Sequence, residues 1–193
     1  MKLSKTKLKI VEAANKLFYE QGYEHTSFTQ IADVVGISRG NFYYHYKTKD
    51  EILAAVIEMR MSVVKSYLDS WEANNPTPQM RIKAFINSAV FTQSDTEKYG
   101  CPIGTLSTEL NKLSHPAQEQ VAGFFTLFRC WLGRQFDALG FAKEADELAL
   151  NILAQNQGAA VLASTLNDQS LVERQAKRME AWLDELIHQS NPK

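Results

Sequence analysis

An all-α fold is what this sequence predicts: about nine helices, the first three forming an N-terminal helix-turn-helix head on a larger helical body. Two observations carry the prediction. Apolar residues recur at helical spacing along the whole chain, with no strand-like alternation and no internal repeat. Between residues 27 and 46, two short segments, each opened by a serine, are separated by a tight turn holding Gly36.

The elements follow in order. Ile10, Ala14, Leu17 and Phe18 form one face of a first helix, with Ser4 as N-cap and Gly22 as its stop. Ser27 followed three residues later by Gln30 fits a capping box; Phe28, Ile31 and Val34 or Val35 give a short apolar face, and Gly36 suits a left-handed C-terminal turn. Ser38 caps a third helix. Thr48 or its neighbour caps a fourth, with Asp50 and Glu51 at the positive end of its dipole. Ala32 is small where the two short helices must approach, and Ile37 in the turn is a plug for the core.

The fourth helix starts near Lys49 and runs without a break to the loop NNPTP at residues 74–78, so the head passes into the body with no flexible linker. A helix over 79–91 follows, then the polar stretch TQSDTEKYG, and a helix beginning at CPIG, with Pro102 at its first position and Cys101 as N-cap. Pro116 opens a helix reaching about Leu139. Two more, near 143–165 and 168–189, complete the chain. The domain boundary is placed after residue 50, between a head over 1–50 and a body over 51–193.

At 193 residues with 45% hydrophobic and 22% charged residues, the composition is that of an ordinary globular protein. The formal net charge of −1 hides an asymmetry, since residues 1–50 carry 8 Lys and Arg against 5 Asp and Glu, and the remainder 13 against 17. A basic head on an acidic body suits a nucleic-acid partner for the head. No run of about 18 apolar residues predicts a membrane span. The N-terminal segment is interrupted by Glu12 and Lys16, unlike a secretory signal, so a cytoplasmic protein is expected. Cys101 and Cys130 lack the spacing of a zinc site or a disulfide framework, and no cofactor is implied.

The segment GISRGNFYYHYKTKDEIL, residues 36–53, concentrates aromatic and cationic side chains on a helix too short to bury them all. Phe42 falls on the side of Ile37 and Tyr46 and suits the core. Arg39, Asn41, Tyr43 and Tyr44 spread over the rest. A tyrosine hydroxyl reaches a phosphate oxygen, arginine reads guanine bidentately and asparagine reads adenine. Gly40 costs about 1 kcal/mol in a helix interior relative to alanine, which close approach of a neighbour such as DNA would explain. Lys49 sits beside a helix N-terminus already favourable to anions. His45 as a metal ligand lacks a second ligand at i+3 or i+4, whereas it suits a phosphate. A half-buried aromatic cluster is the plain alternative for the tyrosines.

From Thr26 to Leu53 the stretch TSFTQIADVVGISRGNFYYHYKTKDEIL resembles the DNA-binding signature of the tetracycline-repressor (TetR) family, and the likeness extends over about residues 8–56. The resemblance implies a homodimeric all-α transcription factor, most often a repressor, whose body binds a small molecule and releases double-stranded DNA. It places Tyr43, His45 and Lys49 on phosphates, Thr29, Arg39, Gly40, Asn41 and Tyr44 toward bases, and Phe42 in the core. A two-fold dimer would call for a roughly palindromic operator with half-sites about one helical turn or a multiple apart.

In the body, Phe85, Phe91, Phe124, Phe128 and Trp131 offer aromatic walls for an effector, with Glu109, Asn156 and Gln157 as polar contacts. YGCPIG is similar to a glycine–cysteine pair in some TetR-type regulators that sense electrophiles, which makes Cys101 either a sensor thiol or a small buried hydrophobe. Cys130, amid Phe128, Trp131 and Leu132, is expected in the core. Gly158, Ala159, Ala160 and Ala163 allow close helix approach. With Leu171, Trp182, Leu183, Leu186 and Ile187, they suit a pair of helices that buries its face within the monomer or meets its symmetry mate in a four-helix bundle, and the resemblance favours the dimer. Two competing readings remain: a helical enzyme with Cys101 as nucleophile and His115 as base, and a DNA-binding head whose body binds another protein.

Overall fold

The computed structural model describes residues 4–91, 98–168 and 170–190, with the side chain of Phe91 left out. Among the described residues there are nine helices of four residues or more and no strand. They fall into two compact units. The first holds residues up to Val64 together with Thr105–Val121, and the second holds Lys65–Gly104 and Ala122–Lys193.

In the first unit, α1 (Lys5–Gln21) starts where the Ser4 hydroxyl accepts from Lys7 N–H at 3.3 Å, and it buries Ile10, Val11, Ala14 and Phe18. Gly22, at φ +90°, breaks it. α2 (Phe28–Val35) opens on a complete capping box: Gln30 N–H donates to Ser27 Oγ at 3.3 Å, and Ser27 N–H donates to Gln30 Oε1 at 2.7 Å. Two otherwise orphaned donors are thereby satisfied reciprocally. Gly36, at φ +71°, adopts the left-handed geometry that lets its N–H reach the carbonyls of Ala32 and Asp33. α3 (Arg39–His45) is capped by Ser38, whose Oγ accepts from Asn41 N–H at 3.3 Å.

α4 (Lys49–Asn74) begins at Thr48, whose Oγ1 accepts from Glu51 N–H at 3.1 Å, and it buries Ile52, Leu53, Val56 and Ile57 in the first unit. Beyond Val64 it belongs to the second unit. There it is joined by α5 (Pro78–Phe91), the start of α6 (Pro102–Lys112), α7 (Gln118–Ala138) from Ala122 onward, α8 (Ala145–Leu166) and α9 (Ser170–Ser190).

The core of the second unit includes Ile82, Phe85, Ile86, Phe124, Trp131, Leu132, Phe136, Ile152, Met179 and Leu183, each worth about 1.5–3 kcal/mol when fully buried. α9 packs on α8 and α5. Polar pairs mark the α5–α9 contact: Lys83 Nζ donates to Asp184 Oδ2 at 2.7 Å and Asn87 Nδ2 to Glu180 Oε1 at 2.5 Å. From Leu148 to Leu166, α8 carries no charged side chain. Its inward face is Ala149, Ile152, Leu153, Asn156, Ala159, Ala160 and Ala163, while Val161, Leu162 and Leu166 on its outer side are exposed.

Cys130 corrects an expectation. It is exposed, because α7 turns Val121, Phe124, Trp131, Leu132, Gln135 and Phe136 inward, and Arg129 and Cys130 lie on the opposite side, where Arg129 pairs with Asp146. Gly158 is also exposed, with nothing near the position of a Cβ, while Ala159, Ala160 and Ala163 are buried.

Candidate nucleic-acid interface and effector site

α2, the turn at Gly36–Ser38 and α3 form a helix-turn-helix whose second helix has one packed side and one open side. Phe42 is 1% exposed, against Phe28 with ring centroids 5.1 Å apart. Tyr46, 5% exposed, closes the same side. Tyr44 is 78% exposed and Tyr43 47% exposed. Arg39, Gly40 and Asn41 are exposed too, with Thr29 and His45 half-buried beside them. Tyr43 is not loose: its ring stands edge-on to Phe28 at 5.4 Å, and its carbonyl accepts from the Lys47 ammonium. Tyr44 stands edge-on to His45 at 5.2 Å. A short helix carrying exposed hydroxyl, amide and guanidinium groups over a fixed aromatic base has the chemistry of a DNA-reading element.

Lys49 is placed differently from these. Its ammonium donates to the carbonyls of Tyr23 and Glu24 at 3.0 and 3.1 Å and lies 4.3 Å from the centre of the Tyr23 ring. The Tyr23 hydroxyl donates to Asp50 Oδ1 at 2.5 Å. His115 Nδ1 accepts from Ala117 N–H at 3.1 Å, which leaves Nε2 to carry the proton facing Asp50 Oδ1 at 3.5 Å. The hydrogen bond from Tyr23, followed by that from His115, holds the Asp50 carboxyl below its ordinary value. Burial first, and then the bond to Asp50, pushes the Tyr23 phenol upward.

Glu109, expected among the effector contacts, belongs to this cluster in the first unit. Its Oε2 accepts from Tyr23 N–H and its Oε1 from Glu24 N–H, both at 2.9 Å. Both carboxylate oxygens are committed to backbone, so Glu109 leaves the candidate effector set.

Three of the aromatic side chains expected at the effector site, Phe85, Phe128 and Trp131, lie together in the second unit. Phe85 stands edge-on to Phe128 at 5.3 Å and tilted to Trp131 at 6.3 Å. Sequence reading omitted Trp71, which lies 5.8 Å from Trp131 and 6.0 Å from Phe85. Its signal was the tryptophan itself, near the end of a long helix whose second half faces the body. Phe124 is buried in the same unit. The Trp131 indole N–H is buried without a partner. Phe91 lies outside the described side chains.

Cys101 and Gln157 are brought together, with Gln157 Nε2 3.5 Å from Cys101 Sγ. A Cβ on Gly104 would stand 2.5 Å from Gln157 Oε1, so glycine lets that amide reach the sulfur. Asn156 is buried on α8. Among the described residues no group of three or more His, Cys, Asp or Glu is placed to hold a metal, and no helix is long and apolar enough to cross a membrane.

Comparison with known proteins agrees with this geometry. Residues 10–56 match the model of bacterial regulatory proteins of the TetR family, and residues 78–178 match the C-terminal domain of LmrA/YxaF-like transcriptional regulators. An uncharacterized HTH-type transcriptional regulator in the lacX 3′ region of Lactococcus lactis subsp. lactis is 28% identical over 176 residues, covering 89% of each chain. The HTH-type transcriptional regulator LmrA of Bacillus subtilis is 37% identical over 114 residues, 58% of this chain and 60% of that protein. The crystal structure of a TetR transcriptional regulator from Legionella pneumophila superposes with a TM-score of 0.81 at 24% identity, covering 96% and 99% of the two chains.

The chain belongs to the TetR family of bacterial transcriptional regulators, with an LmrA/YxaF-like C-terminal domain. It is a ligand-responsive DNA-binding regulator and not an enzyme, so the pairing of Cys101 as nucleophile with His115 as base falls away. His115 serves the Asp50 cluster instead. The electrophile-sensing role for Cys101 is likewise not favoured.

Proposed function

We propose that the chain is a cytoplasmic repressor that binds a palindromic DNA operator as a homodimer and is released by a small-molecule effector. DNA binding is assigned to residues 1–50, and effector binding and dimerisation to residues 51–193. The observation that supports the reading best is the division of α3 into a buried Phe42 and an exposed row of Arg39, Gly40, Asn41, Tyr43 and Tyr44. Tyr43 and His45 hold phosphates. Thr29, Arg39, Gly40, Asn41 and Tyr44 face bases, and the open space around Gly40 leaves room for a base edge or a sugar.

For the effector, Phe85, Phe124, Phe128 and Trp131, joined by Trp71, supply apolar walls. The unpartnered indole N–H of Trp131 supplies a directed donor. A buried donor left unsatisfied costs about 1–3 kcal/mol, which an apolar effector carrying one hydrogen-bond acceptor would recover. Cys101 and Gln157 are the polar end of the candidate set.

The test is selection of duplexes from a random pool by the purified protein, followed by titration of the enriched duplex at several salt concentrations. A palindromic consensus, with affinity falling by about 10²-fold between 50 and 200 mM salt, is expected for four phosphate contacts in the dimer, two from each protomer. Enrichment of no duplex would overturn the reading.

A further inference from the structure

The turn between α1 and α2 has one backbone bond of its own, from Thr26 N–H to the Tyr23 carbonyl at 3.2 Å, and is held besides by two side chains. All four backbone polar groups of Tyr23 and Glu24 are taken by two side chains of opposite charge. Glu109 accepts both N–H groups at 2.9 Å, one on each oxygen, and Lys49 donates to both carbonyls at 3.0 and 3.1 Å. The fit is close, since a Cβ on Gly22 would stand 3.0 Å from Glu109 Oε1. Tyr23 is then tied by its hydroxyl to Asp50, one residue beyond Lys49. Four residues after Tyr23 comes Ser27, which caps α2. The turn therefore sets where the helix-turn-helix begins.

We propose that Glu109 and Lys49 are a pair of positioning residues for DNA binding. They brace the α1–α2 turn from its two sides, and Lys49 acts through the turn rather than as a phosphate ligand. The lysine ammonium has three protons; two are spent on carbonyls, and the charge lies over the Tyr23 ring. Glu109 lies 85 residues further along the chain from Glu24, yet it belongs to the same compact unit. Residues 105–121 are on this view a working part of the DNA-binding machinery, although they lie outside the helix-turn-helix. The inference rests on the first unit being the DNA-binding one.

The experiment uses the full-length protein and the duplex it selects from a random pool, at a temperature well below the melting transition of every variant. Glu109→Ala and Lys49→Met are each expected to weaken binding about tenfold, and the double variant by much less than the product, because both act on one turn. Glu109→Gln, which keeps one acceptor, should fall between wild type and Glu109→Ala, and it serves if the alanine variant does not fold.

The salt dependence separates a brace from a phosphate contact. Lys49→Met should leave the slope of log affinity against log salt unchanged, whereas loss of one phosphate contact per protomer lowers its magnitude by about 0.9 for each contact. A reduced slope for Lys49→Met, full affinity for both Glu109 variants, or strictly multiplicative effects would each overturn the proposal. Failure of the wild-type chain to select any duplex would overturn instead the DNA-binding reading beneath it.

Discussion

Phe42 and Tyr44 lie two residues apart on α3 and differ in exposure from 1% to 78%. That contrast separates folding from function. Phe42→Ala should destabilise the protein by about 3–5 kcal/mol through lost burial and the cavity left against Phe28, read from denaturant unfolding. Tyr44→Ala should stay within about 0.5 kcal/mol of wild type in the same experiment, while its DNA affinity falls. Loss of stability at Tyr44 with unchanged binding would remove it from the candidate interface.

Asp50 supplies a pH dependence whose sign follows from its surroundings. The Tyr23 hydroxyl and His115 hold its carboxyl below the ordinary value of 3.8. A group depressed on folding contributes stability above its unfolded value, and loses it as pH falls through the folded one. The contribution is therefore present at neutral pH and begins to disappear below about pH 4. Asp50→Asn should flatten the acid limb of melting temperature against pH below that point. An acid limb as steep as that of wild type would show that the cluster carries no linkage. Tyr23 acts at the other extreme: its phenol is raised on folding, so its contribution is full below the ordinary tyrosine value and is lost as pH rises above it.

At the scale of the elements, caps and turns were the legible part of the sequence. Ser4, Ser27, Gln30, Gly36 and Ser38 each do what their residue type and position predict, because capping depends on neighbours within four residues. Ser27→Ala should therefore cost about 1 kcal/mol in equilibrium unfolding; a smaller loss would mean that Gln30 holds the N-terminus of α2 alone. The partners of long polar side chains were not legible. Glu109 reads as a lone carboxylate on an amphipathic helix, and nothing local says that its acceptors face the N–H groups of Tyr23 and Glu24. Lys49 reads as a cation at a helix start, the usual place for an anion, and the structure turns it onto carbonyls. Cys130 was misread for a related reason: apolar neighbours in sequence are not neighbours on a helix, where adjacent residues are about 100° apart.

At the scale of the whole molecule, the outer face of α8 is the feature that a monomer leaves unexplained. Val161 and Leu166 are each 61% exposed and Leu162 50%, on a helix with no charge between Glu147 and Asp168. Ala154, Gly158, Val161, Leu162, Thr165 and Leu166 follow one another at spacings of one, three or four residues, the stripe of a helix that meets a second helix. On the proposed homodimeric reading, a second copy of the chain is the occupant, because an isologous contact places two recognition helices about a two-fold axis. Val161→Lys together with Leu166→Lys puts four like charges into such an interface and none into the monomer core. Sedimentation should then show a monomer with the helical circular-dichroism spectrum of wild type. Affinity for a palindromic duplex should fall to that for a single half-site, while binding to the half-site alone stays the same. A variant that remains dimeric would place the two-fold contact elsewhere on the second unit and leave the α8 stripe for a different partner.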